Sequence, residues 1–190
     1  MNHVTFNPKL YALPTTTLIL GSWFNDQPNF MALAWATRVN FQPPLIAIGV
    51  NKAHASHAAI TETEQFSLCM PSSNMVEITD YVGLVSARKT DKANLFELFY
   101  GELKHAPLIK ECPLNLSLKV YTSIDLPTNT VFIGEIVEAW CEESYLVGNT
   151  PDMRKVQPFT LTMPDNQYWG LGHKIGDAWK VGKALKKLVL

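Results

Sequence analysis

Charge is scarce in this chain. Asp, Glu, Lys and Arg make up 17% of the 190 residues, against a usual share of roughly 25%. Yet there are five Trp, six Tyr and nine Phe, and that combination excludes intrinsic disorder, which needs charge-rich, aromatic-poor sequence. Neither sign dominates: 16 basic and 17 acidic residues leave a formal net charge of −1. Nothing here drives attraction to nucleic acid or to an anionic membrane. Cysteine is also sparse, with only Cys69, Cys112 and Cys141. An odd, scattered count without CxxC is no disulfide framework, and it points to a reducing, cytoplasmic setting. No basic stretch leads into an apolar segment at the N-terminus, so no signal peptide is expected. Apolar runs such as Leu45 to Val50 fall far short of the ~20 residues of a membrane span.

Several catalytic signatures are missing too. There is no GxSxG and no Walker motif, and the cysteines have no activating context. The glycines of Tyr168 to Gly176 do not match GxGxxG, which leaves a dinucleotide loop unsupported. His54 and His57 stand three apart, but a zinc site needs further ligands, and no Cys or carboxylate cluster supplies them. No catalytic side chain and no metal ligand is assigned.

Apolar patterning, by contrast, is plentiful. The length suits one domain, taken as residues 1–190 with a helical tail from about 168 to 190. Strands are expected at Thr15 to Gly21, Phe30 to Thr37, Leu45 to Val50, Gln65 to Met70, Leu114 to Ile124, Thr130 to Cys141 and Val156 to Leu161. Asp26 to Asn29 reads as the first turn and Asp125 to Asn129 as a hairpin. Helices are expected at Ala55 to Thr63, after an Asn74/Glu77 capping box, and at Ala93 to Tyr100. The strands do not alternate with long helices, so the fold class is mainly β with helical insertions, a closed or nearly closed antiparallel barrel. Low charge with many aromatics suggests apolar surface covered by a partner or a flat ligand.

Four segments carry candidate chemistry. Asn51 to His57 joins a buried strand to a helix start, where free N–H groups, Ser56, His54 and Lys52 suit a phosphate. Ser86 to Lys92 holds three basic residues, either a solvated turn or an anion-binding one. In Met31 to Thr37, small residues let a flat ligand approach the backbone, and Thr37 can donate to it. The tail interleaves Lys180, Lys183, Lys186 and Lys187 with Trp179, Val181, Leu185 and Leu188, a basic and partly amphipathic helix expected to dock on its own domain.

Together these segments resemble the flavin reductase-like family, the FMN-binding split barrel, and within it the flavoredoxin group. The matching stretches are Pro28-Asn29-Phe30-Met31-Ala32-Leu33-Ala34-Trp35, Gln42-Pro43-Pro44-Leu45-Ile46-Ala47-Ile48, Ser86-Ala87-Arg88-Lys89-Thr90-Asp91-Lys92, Ala106-Pro107-Leu108-Ile109 with Glu111-Cys112-Pro113-Leu114-Asn115-Leu116, and Tyr168-Trp169-Gly170-Leu171-Gly172. Their order and spacing carry the likeness from about Pro14 to Lys180. The resemblance implies a six-stranded split β-barrel, a homodimer, and one FMN per subunit near the interface. It implies that Trp35, Ala36 and Thr37 line the isoalloxazine, that the phosphate lies near Asn51, His54 and Ser56 with Lys89 nearby, and that Tyr168 joins this set. It implies an NAD(P)H-dependent flavin reductase, with NADH or NADPH as co-substrate. Alternatives are a flavoredoxin-like FMN electron carrier without nicotinamide activity, serving a redox partner protein, and a split barrel that has lost flavin and binds another ligand. The chain departs from the family's usual pattern at His54 (often Arg), His57 (often aromatic), Ala87 (commonly Gly) and Arg38 (usually small).

Overall fold

The computed structural model describes residues 1–7, 9–10 and 13–186. Its elements run β1 Thr15–Thr16, β2 Leu18–Phe24, β3 Gln27–Leu33, β4 Ala36–Asn40, β5 Leu45–Asn51, α1 Ala55–Thr63, β6 Gln65–Met70 and α2 Val76–Leu84. There follow β7 Leu98–Phe99, β8 Leu108–Ile109, β9 Leu114–Asp125, β10 Asn129–Cys141, β11 Leu146–Val147, β12 Thr150–Pro151, α3 Met153–Val156, β13 Phe159–Thr162, β14 Gln167–Gly170 and α4 Lys183–Lys186. Seven strands, one more than the six the family resemblance implies, form an antiparallel sheet in the order β3-β2-β6-β9-β10-β5-β4.

The sheet curls because its two faces bury different side chains. Neighbouring residues on a strand point to opposite faces. Leu20 and Leu68 face inward, while Ile19 and Cys69 face outward. The inner cluster joins Leu33 of edge strand β3 to Ile48 and Val50 of β5, with Phe66, Leu118, Phe132 and Ile60 of α1 between them. Strands from opposite ends of the sheet thus share one core, which is barrel geometry. Among the described residues no ladder pairs β3 with β4, so the barrel stays split. Outside, Ile19, Phe30 and Cys69 pack under Met75 and Val82, together with Phe96, Ile109 and Cys112. No helix among the described residues is long and apolar enough to cross a membrane.

Several expected boundaries move, each for a local reason. The first turn is Asn25-Asp26, both at positive φ (51° and 61°), as a two-residue hairpin turn requires. Pro28 therefore lies in β3, where an edge strand tolerates a missing N–H. The expected strand Phe30 to Thr37 is two strands, broken at Ala34-Trp35, where the Ala36 N–H donates to Ala34 O at 3.2 Å. The Asn74/Glu77 capping box does not form: Asn74 lies in a 3-10 turn, Ser73–Met75, and α2 starts without a side-chain cap. Ala93–Leu95 is one 3-10 turn followed by short strand β7, not a helix. Val156 ends α3, and Gln157 at φ 49° turns the chain into β13.

The tail is also corrected. It opens as β14, and its described helix is only Lys183–Lys186. Trp169 and Gly170 pair with β13, the Leu171 N–H donates to Pro158 O at 3.4 Å, and residues 170–176 wall a cavity with Ser73, Arg154 and Gln157, whereas residues 177–183 are exposed; Lys187 and Leu188 lie outside the described residues.

Gly134 sits at a bulge in β10, and a Cβ there would lie 2.5 Å from Phe66 Cζ. Gly134→Val should cost about 1–3 kcal/mol through overpacking, seen as a lower urea midpoint. Gly170→Ala, with nothing within 4 Å of its added Cβ, should leave the midpoint near wild type.

Candidate functional site

The loop after β5 delivers the N-terminus of α1 with its donors unspent. Asn51 Oδ1 accepts from the Ala53 N–H at 2.9 Å, and the Lys52 N–H donates to Thr128 O at 3.1 Å. Lys52 pairs with Asp125 at 2.7 Å, Asp125 accepts from Thr130 at 3.2 Å, and Thr130 Oγ1 lies 2.8 Å from His57 Nε2. This chain of contacts pins α1 to the β9–β10 hairpin. It also holds the Asp125 carboxyl below its ordinary pKa, chiefly through the Lys52 hydrogen bond. His57 packs on Phe132, and burial, then Lys52, lowers its pKa. His54 is instead the N-cap and makes no capping bond with its side chain. The Ala55 and Ser56 N–H groups begin the helix, where no intrahelical acceptor exists, and neither finds a partner among the described residues.

Above that helix end lies a cavity of about 240 Å³, lined by Asn29, His54, Ser56, Ser86, Ala87 and Lys92 among others. Asn29, 2% exposed, donates through Nδ2 to Ser22 Oγ at 3.0 Å and Ser56 Oγ at 2.9 Å. Its Oδ1 is buried without a partner, a costly state unless a ligand supplies a donor. Ser56, accepting from Asn29, keeps its own proton to give. Lys92 is 4% exposed, and its Nζ donates to Val82 O and Val85 O at 3.1 and 3.0 Å. It therefore sits on the last carbonyls of α2, where a cation is favoured. Burial pulls its pKa down to about 8.

Three further cavities follow, each sharing wall residues with the one before. Met31 and His54 also line a space of about 320 Å³ with Trp35, Gly49, Asn51, Asn129, Leu161 and Met163. Ala34, Trp35 and Gly49 lead on to about 360 Å³ bounded by Thr15, Ala36, Thr37, Ala47 and Val131. Ala36 and Thr37 then border an apolar chamber of about 650 Å³. At Gly49 a Cβ would sit 3.3 Å from Trp35 Cε3, so glycine keeps this cleft open. A polar, cation-bearing cradle thus grades into an apolar slot beside a half-exposed indole.

Of the sequence-derived residues, Trp35, Ala36, Thr37, Asn51, His54 and Ser56 line this run of cavities. Lys89 does not: it is exposed on the turn where the Lys89 and Thr90 N–H groups donate to Ser86 O. Tyr168 lines none of these cavities; its hydroxyl donates to Asp80 at 2.8 Å, tying β14 to α2. Burial, then Asp80, pushes its pKa up to about 12. Asn29 and Lys92 were missed as site residues, although both lie inside quoted motif stretches. Met31 lies in a candidate segment without having been singled out, and Gly49, Val131, Leu161 and Met163 gave no signal of their own.

A protein-family model described as "Flavin reductase like domain" matches residues 10–156. Among solved structures, flavoredoxin from Methanosarcina acetivorans is 47% identical, with TM-score 0.95, covering 97% of this chain and 100% of that one. Flavoredoxin of Desulfovibrio vulgaris is 33% identical, with TM-score 0.87, over 96% and 100% of the two chains. A Shewanella frigidimarina protein with a split barrel domain shares the fold at 15% identity, TM-score 0.77, over 88% and 86%. The curled, split sheet and these matches agree that this chain is a split barrel and belongs to the flavin reductase-like family.

Proposed function

We propose that this chain is an FMN-binding oxidoreductase that acts as a homodimer and takes reducing equivalents from NADH or NADPH. The observation that carries the reading is the series of cavities with shared walls, from the α1 N-terminus past Asn51 and Trp35 to Ala36-Thr37. FMN has the matching order of groups: phosphate, polyol chain, flat ring. The donor set suits it. The Ala55 and Ser56 N–H groups, the Ser56 hydroxyl and the Lys92 ammonium all favour a phosphate dianion. Asn29 Oδ1, buried and without a partner, suits a hydroxyl of the polyol. The slot bounded by Trp35, Ala36, Thr37 and Gly49 suits the ring, with Trp35 as its aromatic wall.

Once bound, FMN supplies the hydride and electron chemistry. The chain's own task is then to hold, orient and partly dry the ring. No protein acid or base is required, in keeping with a cleft in which the titratable groups cluster at the phosphate end. Trp35 is 47% exposed, which leaves the slot open for a nicotinamide to reach the ring. The flavoredoxin likeness at 47% identity favours a second reading, an electron carrier that exchanges with a redox partner protein.

Two measurements test these claims. Anaerobic mixing of FMN-loaded protein with NADH and with NADPH should bleach the flavin band within minutes. No bleaching with either rejects the nicotinamide step and leaves the carrier reading. FMN affinity should be level at neutral pH and weaken as pH rises through about 8, where Lys92 loses its proton. Lys92→Met should weaken binding roughly tenfold or more at pH 7 and flatten the profile, while Lys89→Ala should change neither. An unaltered pH profile in Lys92→Met contradicts the cradle assignment.

A further inference from the structure

The C-terminal arm is built in a way that its own subunit does not explain. Its base stays on the domain, where the Leu171 N–H donates to Pro158 O at 3.4 Å and residues 170–176 wall a cavity with Ser73, Arg154 and Gln157, and beyond it the arm folds into a compact turn. Lys174 pairs with Asp177 at 2.7 Å, the Val181 N–H donates to Asp177 O at 3.1 Å, and Gly176 lies so close under Val181 that a Cβ there would meet Val181 Cγ1 at 2.7 Å. This turn presents Ile175 and Trp179, which are 95% and 92% exposed. Trp179 is held at φ 60°, a left-handed conformation that a bulky side chain adopts only at a cost. Two fully exposed large apolar side chains on an ordered, strained turn mark a contact surface.

The chain also carries a matching receptor. The 650 Å³ chamber is walled by Leu18, Leu68, Leu114, Leu116 and Trp140, with Arg38 as its one charged lining residue among those described, and none of the described segments of its own subunit fills it. Glu142 and Glu143 follow directly on its wall residue Cys141. Charge divides in the same sense. Residues 168–190 hold five lysines and one carboxylate, whereas residues 1–167 hold eleven bases and sixteen acids. A basic apolar arm and an acidic body with an open apolar chamber are complementary between copies of the same chain.

We infer that the arm of one subunit docks on a second copy, with Trp179 entering the partner's chamber. Because Ala36 and Thr37 border both chamber and flavin slot, the partner's indole would close the ring end of the site; that consequence rests on the function proposed above, whereas the docking does not.

The test places the photoreactive residue p-benzoylphenylalanine at position 179 and mixes isotopically heavy and light full-length chains. Irradiation should give heavy–light crosslinks from position 179 to residues 114–116, 139–141 or 146. Crosslinks that are only intrachain, that fall outside the chamber, or that do not form overturn the inference. In parallel, Trp179→Glu should raise the dimer dissociation constant about tenfold or more, with the circular dichroism spectrum of the folded domain unchanged. A dimer that is unaffected by Trp179→Glu rejects the arm but keeps the homodimer, and a wild-type monomer rejects both. Capture of the wild-type arm by anionic lipid vesicles without any interchain crosslink also overturns it.

Discussion

The site depends on one constraint: a helix N-terminus must arrive at the end of the barrel with its donors unused. Asn29 is central to this. Its amide bridges Ser22 on β2 and Ser56 on α1, so hairpin and helix cannot shift independently. The Lys52–Asp125–Thr130–His57 chain fixes the same helix from the other side. Held from two directions, α1 needs no side-chain N-cap, and His54 provides none. A polar cap would satisfy the helix and spoil the site. The cost of leaving those groups open is borne by the surrounding packing, as is usual where function requires strain.

The barrel supplies the rest. Alternation along each strand divides the side chains between an inner core and an outer one, and the break at Ala34-Trp35 lets the chain pass from one sheet edge to the other. Trp35, placed at that crossing, gains an open face, and Gly49 opposite it preserves the slot. The cradle is polar because it meets a helix end and a buried lysine. The slot is apolar because Trp35, Ala36, Ala47, Gly49 and Val131 wall it and no charged side chain among the described residues lines it. One fold thus provides, in series, the two environments that a phosphorylated flat ring requires.

Much of this was legible in the sequence. The spans Ala55–Thr63 and Gln65–Met70 coincide with observed elements, because an uninterrupted periodic run bounded by turn residues leaves little choice. The strand-to-helix loop at Asn51 to His57 could be read as an anion site from local chemistry alone. Lys92 could not. Arg88, Lys89 and Lys92 look alike as a charge run, and only the tight turn on Ser86 O, with the exposed ends of α2 above it, decides which one folds inward. Asn74 had the right spacing for a cap, yet tertiary packing places it in a 3-10 turn. The break in Phe30 to Thr37 was hidden because Ala34 and Trp35 suit a strand as well as a crossing. The composition signal, aromatics without charge, is now divided among core, slot and arm.

The most direct test of the cradle is a comparison of FMN with riboflavin, which lacks only the phosphate. Amide resonances of isotope-labelled protein can be followed during titration with each. The Ala55 and Ser56 amides should move strongly with FMN and little with riboflavin, while the Trp35 indole should respond to both. Equal movement of Ala55 and Ser56 with the two ligands, or movement with neither, would contradict a phosphate held at the start of α1.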